Sequence, residues 1–197
     1  FRSLAAAGPS DVPAQVHAVR SVYGPLLERR YDNVQARLRG LRMWNWANTS
    51  GALFLQTGDM SEKAVGYTTV GGDLMGAFSL IGNIPKTVVI HLLWHIAREY
   101  GFTSIAKQAE VVSSAELASG QSDEKDLMPF EILDACFALF AGKKMSPREM
   151  YITLSRTWTF DDLVALDLNY MPGQLKQWVK RFCKLFMINI FKWVQKP

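Results

Sequence analysis

The chain has 197 residues, of which 49% are hydrophobic and 20% are charged, and its net charge is +4. This length is enough for one domain with a substantial core and too short for two large ones. The composition is that of a globular protein, and the charge is too small to indicate nucleic-acid binding by itself. The most apolar late run, residues 185–191, falls far short of the roughly 20 residues that a membrane-spanning helix needs. We therefore expect neither nucleic acid nor membrane as a partner.

The two ends of the chain differ from its middle. Residues 1–13 are small and polar and contain two prolines, so we predict a loose leader followed by one domain over residues 14–197. The chain starts at Phe1 rather than Met and stops directly after a strongly patterned helix. From these features we expect both ends to be cut.

The first half of the chain alternates between helical and strand-like patterns, which predicts an α/β fold with a parallel sheet. The first predicted elements are a helix to about Glu28, a helix over 34–51 capped by Asp32 or Asn33, and a buried strand over 52–57. A helix starting within 60–67, with Ser61 as its cap, and a strand over 77–82 follow. Two more helices are predicted over 83–101 and 103–109. In such sheets ligands bind at the carboxyl ends of the strands. Thr57, Asp59 and Glu62 fall at such an end.

The second half is mainly helical. Residues 113–129 form a long polar stretch, and long polar loops inside compact domains are usually functional or disordered. Helices are predicted over 129–144, 146–158 and 159–171 and after Pro172. Cys136 and Cys183 sit singly among apolar residues, which is typical of reduced, buried thiols in a cytoplasmic protein.

Three segments carry a family resemblance. Residues 57–89, TGDMSEKAVGYTTVGGDLMGAFSLIGNIPKTVV, resemble the central signature of NAD+ synthetases. NVQARLR at 33–39 and SSAELASGQSDEKD at 113–126 resemble the segments before and after it, in the same order. The resemblance runs from about Asp32 to the C-terminus.

The resemblance implies a fold and a reaction. NAD+ synthetases are doubly wound α/β enzymes of the ATP-pyrophosphatase class, and they work as homodimers. With ATP and Mg2+ they adenylate the nicotinate carboxylate of deamido-NAD, and ammonia then displaces AMP to give NAD. The ammonia is free or comes from glutamine through a separate glutaminase domain.

The resemblance also implies roles for individual residues. The positions matching ATP contacts are Thr57, Lys86 and Ser114. The positions matching deamido-NAD contacts are Asn33, Arg37, Tyr67, Asp73 and Lys192. Glu62 matches an acid that is a metal ligand in some members and a deamido-NAD contact in others, and Mg2+ does prefer carboxylate, water and phosphate oxygens.

The chain departs from the family pattern in one large feature. The Ser-Gly-Gly-x-Asp-Ser phosphate loop and the strands that accompany it are absent from this sequence, as is a glutaminase domain. The resemblance therefore implies part of a synthetase domain. An alternative is a catalytically incompetent fragment that keeps the dimer and deamido-NAD surface. A further alternative is a basic amphipathic module in which the last helix binds a membrane or a partner.

Several of these residues also have purely structural interpretations. A first-turn acid such as Glu62 is favoured by the helix dipole without any ligand. Asp73 suits a turn after two glycines. The charge of Lys86 is unfavourable at a helix N-terminus, which favours a phosphate role for it.

Other polar residues of the helices have structural interpretations too. Asn33 suits an N-cap, and Arg37 suits a surface ion pair with a neighbouring acid. His91 and His95 lie four residues apart on one helix, but the metalloprotease pattern needs Glu directly after the first His. Packing is the favoured interpretation of this histidine pair.

Overall fold

A computed structural model of the chain describes residues 28–110, 124 and 127–195, with side chains described from residue 33 to residue 193. The predicted leader, the first predicted helix and most of the polar stretch that contains Ser114 lie outside the described residues. The elements are α1 Glu28–Ser50, β1 Leu55–Gln56, α2 Met60–Val65, β2 Phe78–Ser79, α3 Lys86–Tyr100, α4 Thr103–Glu110, α5 Phe130–Phe137 followed by a π-helical turn Ala138–Gly142, α6 Pro147–Thr157, α7 Phe160–Leu166, α8 Gln174–Asn189 and a 3-10 helix Ile190–Gln195.

Helix α1 begins earlier than the sequence pattern predicts. It is helical from Glu28 and ends at Gly51, which has a left-handed φ of 64°. Asp32 and Asn33 therefore lie inside the helix, and the prediction that one of them caps it is wrong. The buried side of α1 consists of small residues, Ala36, Gly40 and Ala47, so other backbone can approach it closely.

Strands β1 and β2 pair in parallel, with Leu55 opposite Phe78 and Gln56 opposite Ser79. The predicted parallel pairing is thus confirmed, and the described residues contain this two-stranded sheet. The prediction of a buried first strand is wrong in one respect, because Leu55 is 44% exposed whereas Gln56 is 2% exposed. In the described sheet β1 pairs only with β2, and β2 only with β1. No further described strand therefore covers Leu55.

Helix α2 connects the two strands, and its cap differs from the prediction. Asp59 is extended and its carboxylate accepts from the backbone N–H of Glu62 at 3.0 Å, while the Glu62 carboxylate accepts from the N–H of Asp59 at 3.3 Å. This reciprocal capping box makes Asp59 the N-cap. Ser61 already lies in the first turn, so the prediction that it caps the helix is wrong.

The predicted helices of the next segment are confirmed as α3 and α4. Pro85 directly precedes α3, and Gly101 ends it with a left-handed φ of 70°. Helix α4 follows after two residues and packs back against α3.

The core lies in the C-terminal helical half. Its fully buried side chains come from α5, α6 and α8 and include Ile132, Leu133, Met150, Val179 and Phe182, and Val65 joins them from α2. Helix α8 buries Leu175 and Trp178 in the same core and leaves its basic residues outside. This arrangement favours a packed helix over a membrane-surface module, because Leu175, Trp178 and Phe182 of α8 already lie in the core. None of the described helices has the length and apolar character to cross a bilayer.

Candidate functional site

A cavity of about 530 Å³ opens at the carboxyl end of β1. Its wall includes Thr57, Glu62, Tyr67, Asp73 and Lys86, five of the residues singled out from the sequence. They come from the turn after β1, from α2, from the glycine-rich loop and from the start of α3. The tertiary structure thus gathers residues of three separate motifs on one cavity wall.

Lys86 lies at the charged centre of this cavity. Its Nζ is 2.6 Å from Asp59 Oδ2 and 2.7 Å from Glu62 Oε1. Each carboxylate uses its other oxygen in the capping box, so both acids hold α2 and Lys86 at once. The Nζ atom also lies 5.5 Å from the ring centre of Phe130, which is a cation–π distance.

The electrostatics of the trio keep Lys86 charged. Burial opposes the charge of its ammonium, but the carboxylates of Glu62 and Asp59 together outweigh that effect and raise the pKa of Lys86 above its ordinary value. Lys86 is therefore a permanent cation at working pH. Among the described residues no group of three or more His, Cys, Asp or Glu side chains converges, so two converging carboxylate oxygens are what the described protein offers a cation here.

The glycine-rich loop between α2 and β2 packs directly on α1. A Cβ at Gly72 would lie 2.8 Å from the carbonyl carbon of Ala36, so only glycine permits this approach. Thr69 Oγ1 donates to Asn33 Oδ1 at 2.8 Å, and Arg37 Nε donates to the Val70 carbonyl at 3.0 Å. Asn33 and Arg37 thus brace the loop and are not among the residues lining the cavity.

Asp73 closes the same loop. Its Oδ2 accepts from the backbone N–H of Thr69 at 2.9 Å, and its Oδ1 is 3.6 Å from Arg39 Nη2. Both Asp73 and Arg39 line the cavity, and each side chain is 35% exposed. The structural interpretation of Asp73 as a turn residue therefore holds, and the residue faces the cavity as well.

Lys192 reaches the site region from the C-terminal 3-10 helix. Its Nζ donates to the carbonyls of Gly66 at 2.6 Å and Thr68 at 2.7 Å, while Asn189 Nδ2 donates to the Val65 carbonyl at 2.9 Å. Burial lowers the pKa of Lys192, and the charge of Asp73 partly opposes that shift. We call Asn189 and Lys192 the C-terminal latch, because they fasten the end of α2 and the following loop.

Sequence reasoning missed the roles of two residues at the charged site and of one residue that supports it from outside the cavity. The sequence places Asp59 at the end of β1, and the spacing of Asp59 and Glu62, three residues apart at a helix start, is the signal of a capping box that the prediction of Ser61 as the cap overlooks. Arg39 lines the cavity together with Ala36, Gly40 and Met43, a three-to-four spacing that places Arg37 on the adjacent face of α1. Asp134 accepts from the N–H and the hydroxyl of Thr87, next to Lys86, but it lies 47 residues further along the chain, and no local pattern links the two segments.

A parallel β–α–β unit with a charged cavity at the carboxyl end of its first strand is the arrangement of ligand-binding α/β proteins. A sequence model of the NAD synthase family matches residues 11–161, and the chain belongs to that family.

Individual relatives bear names from the same family. The chain is 38% identical over 119 residues to a glutamine-dependent NAD(+) synthetase of Synechocystis sp., an alignment that covers 60% of this chain and 21% of that protein. It is 35% identical over 145 residues to the enzyme of the same name from Thermotoga maritima, which covers 71% of this chain and 24% of that protein. The chain thus spans about a fifth to a quarter of the length of these relatives.

Solved structures share the fold. A glutamine-dependent NAD(+) synthetase from Cytophaga hutchinsonii superposes with a TM-score of 0.68 at 24% identity, covering 93% of this chain and 28% of that one. An NH3-dependent NAD synthetase from Campylobacter jejuni superposes with a TM-score of 0.53 at 20% identity, covering 92% of this chain and 60% of that one.

Proposed function

We propose that this chain supplies part of the active site of an NAD+ synthetase, which amidates deamido-NAD with ATP. The observation that carries the proposal is the convergence of Thr57, Glu62, Tyr67, Asp73 and Lys86 on one cavity. Membership of the NAD synthase family supports it as well.

The proposed reaction has two steps. An oxygen of the nicotinate carboxylate attacks the α-phosphorus of ATP, and pyrophosphate leaves. Ammonia then attacks the acyl carbon, AMP leaves, and the amide of NAD remains. Both steps place negative charge on a phosphate oxygen of the leaving group, pyrophosphate in the first and AMP in the second, so a fixed cation near the phosphates lowers the barrier.

Lys86 is the residue assigned to the phosphates. An ammonium has three donors, and two of them meet Asp59 and Glu62, which leaves one for a phosphate oxygen. Because the paired carboxylates raise its pKa, Lys86 does not lose its charge at the pH of the reaction. Thr57 and Ser114 are assigned to ATP as well.

Glu62 fits the proposed Mg2+ role. Asp59 and Glu62 each place one carboxylate oxygen on Lys86 Nζ, and carboxylate oxygens suit a hard divalent cation. For Glu62 to hold Mg2+, its oxygen would move from Lys86 to the ion while Asp59 stays paired with Lys86. Magnesium, when bound, neutralises phosphate charge during adenylation. Within the chain, Glu62 would hold the ion while Asp59 keeps α2 capped.

The remaining assigned residues serve deamido-NAD in this proposal. Tyr67 and Asp73 line the cavity directly. Asn33 and Arg37 act by bracing the loop that carries Asp73, and Lys192 lies against the carbonyls on either side of Tyr67. For Asn33, Arg37 and Lys192 to contact the substrate, each would have to exchange its present hydrogen-bond partner for a substrate atom.

The proposal extends to the whole protein. We infer a doubly wound sheet, a domain from about residue 14 onward, a homodimer, a cytoplasmic location and glutamine as the ammonia source. The names of the relatives support glutamine, and exposed apolar side chains on α3, such as Val88, Leu92 and Trp94, offer a face for the second copy.

The test is a synthetase assay of the protein that contains this chain, with ATP, Mg2+, deamido-NAD and either ammonia or glutamine. We expect NAD, AMP and pyrophosphate in equal amounts. Formation of ADP, or no AMP in any combination, would overturn the proposal. Calorimetry with this chain alone then separates the alternatives, since an incompetent fragment binds deamido-NAD but not ATP.

A matched pair of variants tests the site itself. Glu62 and Glu149 occupy the same capping-box position, on α2 and α6, and Gln can also serve in such a box. We expect Glu62→Gln to lower turnover by about 100-fold or more, because it removes a charged group from the cavity. Glu149→Gln should leave turnover unchanged, and equal turnover in both variants would remove Glu62 from the mechanism.

A further inference from the structure

We propose that Asp134 is a positioning residue for Lys86, and that it holds the start of α3 against α2 from the C-terminal helical half. Asp134 lies on α5, 47 residues beyond Thr87. It is not among the residues lining the cavity. Its importance for the proposed reaction rests on the proposed function, whereas its effect on Lys86 is a property of the fold.

The Asp134 carboxylate joins the first turns of two helices. Its Oδ2 accepts from the backbone N–H of Thr87 at 3.1 Å and from the Thr87 hydroxyl at 2.7 Å. Its Oδ1 accepts from the hydroxyl of Ser61 in α2. The Ser61 oxygen in turn accepts from the backbone N–H of Lys86 at 2.7 Å. One carboxylate thus contacts the Ser61 side chain of α2 and both the backbone and the side chain of Thr87 in α3, beside Lys86.

These contacts replace a conventional cap on α3. Pro85 precedes the helix and makes no side-chain hydrogen bond to it, so the first N–H groups of α3 need other acceptors. Ser61 serves the first of these N–H groups and Asp134 the second. A carboxylate at this position also complements the positive end of the helix dipole. The caps of α3 therefore come from tertiary structure.

A carboxylate suits this position better than an amide. All three partners of Asp134 are donors: the Ser61 hydroxyl, the Thr87 hydroxyl and the Thr87 N–H. An Asn side chain has one acceptor oxygen and would turn its NH2 group towards a donor. Asp134→Asn therefore breaks at least one contact although its shape is nearly unchanged.

Phe130 contacts Lys86 from the same face of α5. It precedes Asp134 by four residues, one helical turn, and is 3% exposed. Its ring lies beside the Lys86 ammonium at 5.5 Å, while Asp134 and Ser61 act on the backbone next to Lys86. Helix α5 thus restrains both the backbone and the side chain at Lys86. This is how the helical half would set the geometry of the cavity.

The test measures the chemical reactivity of Lys86. Amine-acylating reagents attack neutral, accessible amines, so the paired Lys86 should react slowly in the unaltered protein. We expect Asp134→Asn and Ser61→Ala to raise acylation of Lys86 by about tenfold, the factor that corresponds to losing one hydrogen bond to a charged group. Mass spectrometry of peptides reports each lysine separately.

Three internal references separate positioning from unfolding. Lys180 and Lys184 are exposed and should react equally in all variants, whereas Lys63 is 3% exposed and should stay protected. Asp162→Asn is the matched control, because it also replaces a capping acid by its amide, on α7, away from Lys86. Unchanged Lys86 reactivity in Asp134→Asn, or a rise shared with Lys63, would overturn the proposal.

Two further measurements cover the remaining cases. If Asp134→Asn does not fold, Thr87→Val removes a single donor to the carboxylate and should raise Lys86 reactivity to a smaller extent. In the synthetase assay, Asp134→Asn should raise the KM for ATP more than the KM for deamido-NAD, and Asp134→Glu should recover part of the loss. Absence of any synthetase activity would contradict the proposed function and leave the reactivity test to decide the role of Asp134.

Discussion

Lys86 Nζ and Glu62 Oε1 lie 2.7 Å apart, although the two residues are separated by 24 positions in the chain. The pair joins the first turn of α2 to the first turn of α3. Both side chains are largely buried, with 15% and 20% exposure, and Asp59 shares the lysine. The Lys86–Glu62 ion pair at the centre of the cavity therefore also links α2 to α3, and we call it the structural tie between these helices.

This tie predicts a stability effect for Lys86→Met. The substitution leaves two carboxylates close together without a cation, and removing one partner of a buried pair costs about 3 kcal/mol or more. Urea unfolding measures the loss. Lys180→Met, on the exposed face of α8, is the matched control and should change the free energy of unfolding by less than about 0.5 kcal/mol. Equal effects of the two substitutions would contradict the tie.

The same pair predicts a pH dependence. The pKa of Lys86 is raised above the ordinary value of 10.5, so its contribution is fully present below that value and is lost as the pH rises through the still higher folded-state pKa. The difference in unfolding free energy between the unaltered protein and Lys86→Met should therefore stay constant from neutral pH up to 10.5. A difference that shrinks well below 10.5 would mean that the lysine is not paired as described.

Gly66 and Gly101 allow a matched test of the C-terminal latch. Both end helices with left-handed φ values, 66° and 70°, but a Cβ at Gly66 would lie 2.3 Å from Asn189 Cβ, whereas a Cβ at Gly101 would meet nothing within 4 Å. Gly101→Ala should cost about 1–2 kcal/mol for the backbone conformation alone. Gly66→Ala should cost about 3 kcal/mol or more, because it adds a clash with the latch. Thermal or urea unfolding measures the loss of stability in each variant. Equal losses would contradict the close contact between Gly66 and Asn189.

Lys192 predicts a second effect of pH, of opposite sign. Burial lowers its pKa below 10.5, so the unfolded chain binds the proton more tightly than the folded one. The unaltered protein should therefore gain stability relative to Lys192→Met as the pH rises through the folded-state pKa towards 10.5. At neutral pH the variant should lose about 1–3 kcal/mol, because the Gly66 and Thr68 carbonyls lose their donor. A rise in the KM for deamido-NAD in Lys192→Met beyond this stability loss would support the substrate role as well.

Cys136 should resist thiol reagents in the folded protein. Burial in the core, with a smaller effect of nearby Cys183, raises the pKa of Cys136 to about 12, and burial raises the pKa of Cys183 as well. Because the thiolate is the reactive form, iodoacetamide at about pH 8 should label Cys136 only on unfolding and Cys183 slowly before it. Labelling followed by mass spectrometry, with and without urea, checks this order. Rapid native labelling of Cys136 would contradict its burial between α5 and α8.

Much of the local structure follows from the sequence. The sequence predicts the helix after Pro85 with its end at Gly101, the end of α1 at Gly51, and the helices over 146–158 and 159–171. The structure confirms them, except that the last of these helices already ends at Leu166. These signals act within a few residues, so they survive in any tertiary context. The motifs of residues 57–89, through the family resemblance, also pointed to five residues that line one cavity in the structure.

Two N-cap predictions from the sequence were wrong, one because a neighbouring residue caps the helix and one because the helix starts earlier. Ser61 resembles a cap, but Asp59 lies one residue outside the helix with an extended backbone and takes that role. Asn33 resembles a cap, but α1 already includes it, and its side chain serves Thr69 instead. Several residues compete for such roles, and their choice depends on contacts that local patterns do not contain.

The sequence by itself determined the family, the helical periodicity and the residue types at the cavity, because each of these depends on local order along the chain. The tertiary structure alone decided which charges meet. Lys86 contacts Glu62, 24 residues earlier in the chain, and Thr87 contacts Asp134, 47 residues later. The packing of α5 against α2 and α3 brings these residues together. Coulomb and hydrogen-bond energies depend on distances in space, and burial of the core of α5, α6 and α8 is what sets those distances.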